Sequence, residues 1–154
     1  MKKILAVLLL VLGCSLAAFT QGKKMSTGLG LEWNMNSRHN FAGGAILTFD
    51  YKLPRFAAVG ILLGGSSNFK NTHIIEPAVL FRAYFQEYEF TGFYFQCELG
   101  ASFIHEDGDL WTVPLVGYGG GYRLPLGPSF YIEPYGRLGY PFAFGIGLIA
   151  GIRF

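Results

Sequence analysis

The sequence predicts an all-β chain: an eight-stranded antiparallel up-and-down barrel that follows an N-terminal signal peptide. Apolar residues recur at every second position along most of the chain, which is the periodicity of strands rather than helices. Short turn-forming segments separate these stretches. The 154 residues include 22 glycines and are 51% apolar, 17% aromatic and 14% charged. Soluble domains carry roughly 25% charged residues, so this composition excludes a disordered segment, a coiled coil and an ordinary helical enzyme domain.

The first residues have the pattern of a secretory signal peptide. A short basic segment precedes the apolar run 4–12, which is too short to span a bilayer. Small residues at Ser15 and Ala17 predict cleavage before Ala18. We therefore expect residues 1–17 to be the signal peptide and residues 18–154 to form a single barrel domain.

Cys14 leaves a competing interpretation open. Residues 11–14 resemble a lipobox, in which Cys14 would be lipidated and become the mature N-terminus. If Cys14 is instead removed, Cys97 is the one remaining cysteine and an intramolecular disulfide is impossible. The chain from Ala18 onward carries ten Lys and Arg against ten Asp and Glu, so its formal net charge is zero. This balance predicts no nucleic-acid partner.

The first four predicted strands cover residues 26–36, 42–51, 56–66 and 73–85. Their alternating apolar positions are, in order, Leu29, Leu31 and Trp33; Ala45, Leu47 and Phe49; Val59, Ile61 and Leu63; and Ile75, Val79 and Phe81. The residues between them are mostly small or polar. Turn-forming residues at 36–40, 52–55 and 66–71 separate the strands, and each connection is short enough for a hairpin.

The last four predicted strands cover residues 92–104, 112–124, 130–140 and 144–154. Their alternating apolar positions are Phe93, Phe95 and Leu99; Val116, Tyr118 and Tyr122; Ile132, Pro134 and Leu138; and Ile146, Leu148 and Ile152. The connections fall at residues 86–89, 106–109, 125–128 and 139–141. An even number of strands without a long crossover predicts a meander that closes on itself.

The apolar face is expected to point outward, toward lipid. The opposite face is rich in Gly, Ser, Asn and Tyr and holds few charges, which is too small a polar surface for a protein in water. Strands of ten or more residues match the length that crosses a bilayer at a tilt. Aromatic residues lie near the strand ends, as in the interfacial girdles of membrane barrels. They are Trp33, Tyr51, Phe85, Phe93, Tyr122, Phe130, Phe144 and Phe154.

The last predicted strand carries a recognisable pattern. Apolar residues occupy alternate positions up to a terminal aromatic: Ile146, Leu148, Ala150, Ile152 and Phe154. This is similar to the signal by which outer-membrane barrels are recognised by their assembly machinery. With eight strands, the chain resembles the small outer-membrane barrel family that includes the OmpA membrane domain, OmpX and OmpW. The pattern departs from the usual signal at Ile149, where glycine is preferred.

This resemblance implies a location and a set of partners. We expect an integral protein of the outer membrane of a diderm bacterium, with periplasmic termini. Its partners would be outer-membrane lipid and the barrel assembly machinery, and it would be a monomer. Members of the family often bind partners through long extracellular loops, whereas the connections here are short, which disfavours adhesin or receptor roles.

Seven charged residues are predicted to line the lumen: Glu32, Glu76, Arg82, Glu98, Arg123, Glu133 and Arg137. Opposite charges in a narrow barrel should pair, because an unpaired buried charge costs several kcal/mol. Arg82 and Glu98 lie on neighbouring strands and are the expected pair. Such a network is either a structural plug or a polar path with a gate. The many inward glycines leave a second pair of alternatives, a water-filled cavity or glycines covered by tyrosine side chains.

Three function classes follow from these expectations. The first is an integral barrel that is structural or a narrow channel for small polar solutes or ions. The second is a periplasmic or lipid-anchored barrel that binds an apolar ligand, as lipocalins do. The third, a lipid-modifying enzyme, is disfavoured because Ser102 and His105 fall on opposite faces and no catalytic triad is evident. The rim histidines His39, His73 and His105 lack a diagnostic ligand spacing, so neither a metal nor a cofactor is predicted.

Overall fold

The computed structural model describes residues 24–36, 41–86 and 90–154, so the predicted signal peptide lies outside the described residues. Eight antiparallel strands in this part of the chain form one closed barrel, in which β1 completes the ring by pairing with β8. The strands are β1 (Met25–Asn36), β2 (Phe41–Lys52), β3 (Ala57–Ser67), β4 (Thr72–Tyr84), β5 (Gly92–Glu106), β6 (Asp109–Pro125), β7 (Phe130–Tyr140) and β8 (Phe142–Arg153). The predicted eight-stranded up-and-down barrel is confirmed.

The β5–β6 hairpin is longer than the sequence indicated. Its turn was expected over residues 106–109, but Glu106 and Asp109 still pair across the strands. The connection is therefore the dipeptide Asp107–Gly108, whose φ angles are 53° and 95°. Two consecutive left-handed residues are what a type I′ turn requires, and Asp-Gly is a favoured sequence for it because glycine tolerates positive φ.

The two ends of the barrel carry different connections. The lower end has the β2–β3, β4–β5 and β6–β7 connections together with Met25 and Phe154, whose backbones exchange two hydrogen bonds of 2.9 Å. The upper end has the other four connections. There, Asn71 of the β3–β4 turn donates to the carboxylate of Asp107 in the β5–β6 turn. The turn residues 37–40 lie outside the described residues.

The barrel is apolar outside and polar inside. Leu29, Ile61 and Leu99 lie on its outer face and are 60–65% exposed, whereas Arg123 and Glu133 lie in its interior and are fully buried. This is the reverse of a water-soluble protein, which covers its surface with charged side chains. Among the described residues, no helix has the length and hydropathy needed to cross a membrane.

Most of the predicted aromatic girdle lies on the outer face. Six of the eight residues are exposed: Trp33, Tyr51, Phe85, Phe93, Phe130 and Phe144. Tyr122 is half-buried, with its ring edge-on to Phe93 at a centroid distance of 4.6 Å. Phe154 is buried, so its assignment to the girdle is wrong. It follows the last residue of β8, and the alternation of exposure along the strand does not extend to it.

Candidate functional site in the barrel interior

The barrel interior collects the charged residues of the inward faces. The structure places all seven predicted lumen residues there, each at most 4% exposed: Glu32, Glu76, Arg82, Glu98, Arg123, Glu133 and Arg137. An eighth, Asp50 of β2, was missed from that set although it is fully buried. Its position between Phe49 and Tyr51 in an alternating strand is the signal that would have found it.

Four of these residues form a lower network near the lower end: Asp50, Arg82, Arg123 and Glu133. Arg82 reaches Asp50 Oδ2 at 2.8 Å and Glu133 Oε1 at 3.2 Å. Arg123 reaches the same Asp50 oxygen at 3.0 Å and donates from Nε to Glu133 Oε2. Two guanidinium groups thus bridge two carboxylates, and the formal charge of the network is zero.

Aromatic rings cover the lower network. The Arg123 guanidinium carbon lies 4.2 Å from the ring centroid of Tyr131 and 4.6 Å from that of Phe90. Phe90 belongs to the β4–β5 connection and is buried, with its ring 4.9 Å from that of Tyr84. Guanidinium groups over aromatic faces gain cation–π stabilisation, especially where water is excluded. The connection therefore inserts an aromatic side chain that packs against Arg123 near the lower end.

The other four charges form an upper network: Glu32, Glu76, Glu98 and Arg137. Arg137 binds Glu32 with two hydrogen bonds, from Nη2 at 2.6 Å and from Nε at 2.8 Å. The same guanidinium reaches Glu76 at 2.8 Å and Glu98 at 3.1 Å. Three carboxylates surround one guanidinium, which leaves a formal charge of −2. Glu98 Oε2 is buried and has no hydrogen-bond partner in the described part of the chain.

The expected pair between Arg82 and Glu98 is wrong. Arg82 lies opposite Gln96 in the β4–β5 register, and its Nε donates to the Gln96 side chain at 3.2 Å. Glu98 lies opposite Leu80 and pairs with Arg137 from β7. Arg82 and Arg137 find their carboxylate partners across the lumen, whereas Arg123 also reaches Glu133 on the neighbouring strand β7. Adjacency of two strands therefore accounts for one of the ion pairs but not for those of Arg82 and Arg137.

Larger side chains fill the space beside several inward glycines. A Cβ atom at Gly147 would lie 2.5 Å from the ring of Tyr135, and one at Gly151 would overlap the ring of Tyr131. Tyr135 in turn donates its hydroxyl to Glu32 Oε2 at 2.6 Å. Of the two alternatives left by the sequence, these glycines follow the second, in which tyrosines cover them.

A cavity lies inside the described part of the barrel, above the upper network. It opens toward the upper end, has a volume of about 260 Å³, and we call it the vestibule. Glu76 and Phe142 lie at its base, where the Phe142 ring is 4.0 Å from the Arg137 guanidinium. Glu106 and Trp111 line it nearer the mouth. The vestibule thus combines carboxylates with aromatic and aliphatic walls.

The remaining candidates do not assemble into a site. Ser102 points inward and donates to Glu76 Oε1 at 2.7 Å, whereas His105 is exposed on the outer face. His73 is exposed directly opposite His105, and His39 lies outside the described residues. Within residues 24–36, 41–86 and 90–154, no group of three or more His, Cys, Asp or Glu is arranged to hold a metal ion. Cys97 is a free, exposed thiol on the outer face.

The residues of the predicted assembly pattern lie in and just after β8. Ile146, Leu148 and Ala150 are exposed on the outer face, Ile152 is half-buried and Phe154 is buried. Ile149 points inward instead, where its side chain covers Gly30. The position at which the pattern usually has glycine is thus occupied by a residue that fills the lumen.

A closed eight-stranded barrel with an apolar exterior and an ion-paired interior has the architecture of the small outer-membrane barrels, as the resemblance predicted. The N-terminal β-barrel domain of Pseudomonas aeruginosa OprF is similar to it with a TM-score of 0.61 at 15% identity, over 87% of this chain and 100% of that one. Neisserial surface protein A is similar with a TM-score of 0.58 at 12% identity, over 84% and 94%. No family model and no curated protein matches the sequence. At these identities the likeness establishes the fold alone.

Proposed function

We propose that this protein is a structural outer-membrane barrel of a diderm bacterium, with a lumen closed to solutes. The observation that carries the membrane location is the belt of exposed aliphatic and aromatic side chains around the whole barrel. Monomeric soluble proteins rarely expose apolar patches beyond a few hundred Å², whereas lipid-facing strands require such a surface. The closed barrel also satisfies its backbone hydrogen bonds between strands, as a bilayer demands.

The orientation and the partners follow from the same proposal. The lower end with Met25 and Phe154 would face the periplasm, and the upper end with its short turns would face outward. Outer-membrane lipid would cover the exterior, and the chain would remain a monomer. The barrel assembly machinery would recognise β8 through Ile146, Leu148, Ala150, Ile152 and Phe154.

The two networks support closure of the lumen. The lower network spans from β2 to β4, β6 and β7, and the upper network spans from β1 to β4, β5 and β7. An ion would have to displace buried charges that already hold one another, and breaking a buried ion pair costs roughly 3–5 kcal/mol. The same networks disfavour a lipocalin-like carrier, because an apolar ligand would need an apolar lumen.

Two experiments test this proposal. The mature chain should fractionate with the outer membrane, resist carbonate extraction, and migrate faster on a gel before boiling than after it. Extraction by carbonate would instead place it in the periplasm. After refolding into planar bilayers, the protein should insert without passing current, with boiled protein as the control. Discrete, reproducible conductance steps in the refolded sample alone would contradict closure.

A further inference from the structure

The vestibule is a cavity of the described interior that combines charged side chains with open volume. Its base is Glu76, whose oxygens accept from Ser102 at 2.7 Å and pair with Arg137 at 2.8 Å. Glu106 stands nearer the mouth, where its Oε1 accepts from the Thr72 hydroxyl at 3.2 Å. A carboxylate offers about four acceptor positions, so both groups retain capacity for a further donor.

The upper network makes the base of the vestibule electrostatically negative. One guanidinium is shared by three carboxylates, and one of them, Glu76, lines the vestibule. Excess negative charge at the base of a cleft attracts cations, because low-dielectric walls focus the field of the charges. The lower network does not neutralise this negative charge, since its own two arginines are paired with Asp50 and Glu133.

The walls indicate which kind of cation fits. A volume of about 260 Å³ lies just below the range of pockets that take drug-sized ligands. Much of the lining is apolar and favours the carbon atoms of an organic ligand over the water shell of a hydrated metal ion. The apolar lining residues include Ile74, Ile104, Trp111 and Phe142. The described residues offer no group of three metal-ligating side chains.

We propose that the vestibule binds a small organic ammonium ion from the upper end. Its charged nitrogen would lie against the carboxylates of Glu76 and Glu106, and its carbon chain would pack against Trp111 and Phe142. Because the lower end is closed by Phe90 and the lower network, the ligand would enter and leave by the same mouth. The binding proposal is independent of the proposed location in the outer membrane, because binding can be measured on the barrel in detergent micelles.

Trp111 provides the readout. The chain has two tryptophans, and Trp33 lies on the outer face, so Trp33→Phe leaves Trp111 of the vestibule lining as the single tryptophan, which is excited selectively at long wavelength. We expect 1,5-diaminopentane to change Trp111 emission saturably at low salt and to give a matching heat in calorimetry. The neutral isostere 1,5-pentanediol should bind far more weakly. Equal binding of the two compounds, or neither heat nor emission change with the diamine, would overturn the proposal.

Matched variants identify the carboxylates. Glu106→Gln and Glu76→Gln should each raise the dissociation constant of the diamine about tenfold or more, because a hydrogen bond to a charged group contributes about 1.5–3 kcal/mol. Asp109→Asn makes the same charge change directly opposite Glu106 but outside the vestibule lining, so it should lower the affinity far less than Glu106→Gln. If Glu76→Gln prevents refolding, the Glu106→Gln variant is sufficient for the test, because Glu106 is only half-buried. Unchanged affinity in Glu106→Gln would contradict the assignment.

Discussion

The lower and upper networks use the same side chains in different proportions. In the lower network each guanidinium meets two carboxylates and each carboxylate meets two guanidiniums, so the formal charge is zero. In the upper network a single guanidinium serves three carboxylates. Aromatic rings lie against a guanidinium group in both networks, but the upper network also borders the vestibule. The comparison supports the proposal that the lower network is a structural closure, and it leaves the upper network with a formal charge of −2.

Because both networks are buried, the ratio of positive to negative charges in each network affects the stability of the protein. Removing one partner of a buried pair leaves an uncompensated charge, which is far more destabilising than losing an exposed pair. In a balanced network every residue is needed to hold the others. In a network with excess carboxylate, removing one carboxylate relieves repulsion as well as losing a contact. Substitutions in the two networks should therefore have unequal effects.

The largest effect is expected from Arg123→Ala in the lower network. It would leave Asp50 and Glu133 with Arg82 alone and remove the cation beneath Phe90 and Tyr131. We expect a loss of about 4 kcal/mol in the free energy of unfolding, measured by urea titration in micelles. Lys70→Ala, a truncation of an exposed cation in a turn, is the control. Equal shifts in the two variants would refute a structural role for the network.

Phe90→Ala tests the aromatic closure of the lower end. The substitution empties a buried site against Tyr84 and uncovers Arg123, so a loss of about 3 kcal/mol is expected. Phe85→Ala, in the same connection but largely exposed, should change stability by less than about 1 kcal/mol. The urea midpoints of both variants measure this difference. A shift in Phe90→Ala as small as in Phe85→Ala would mean that the ring does not close the barrel.

Gly147→Ala tests the packing beside the upper network. Its Cβ would lie 2.5 Å from the Tyr135 ring, which is held by a hydrogen bond to Glu32. Overpacking of this kind costs about 1–3 kcal/mol, and we expect about 2. Gly65→Ala is the control, since its Cβ would have no neighbour within 4 Å and should shift stability by at most about 0.5 kcal/mol. A neutral Gly147→Ala would show that Tyr135 is free to move.

The sequence was sufficient for the strands and their faces but not for the partners across the lumen. Alternation identifies which residues face each way, because successive side chains of a strand point to opposite faces. It does not say which of several carboxylates a long arginine will reach. Arg82 reaches Asp50 on β2 and Glu133 on β7, and the relative depth of those strands depends on the register of the whole barrel.

The ends of the barrel were predicted less well than its wall. Phe90 lies in a connection with a positive φ, where alternation no longer applies, so nothing in the pattern indicated that its ring enters the barrel. The vestibule could not be predicted either, since it depends on how side chains from several strands and from the β7–β8 connection pack at the upper end. From the high glycine content we could predict only two alternatives, a water-filled lumen or a lumen whose glycines are covered by larger side chains.

The smallest effect is expected from Glu98→Gln, and its comparison with Glu133→Gln is the most direct test of the central claim. Both substitutions remove one buried carboxylate charge and keep the side-chain shape. Glu133→Gln leaves the balanced lower network with excess positive charge, so we expect a loss of about 3 kcal/mol in urea. Glu98→Gln reduces the excess in the upper network, so its unfolding free energy should stay within about 0.5 kcal/mol of the parent or rise. Equal losses in the two variants would contradict the distinction between a balanced lower network and a negatively charged upper one.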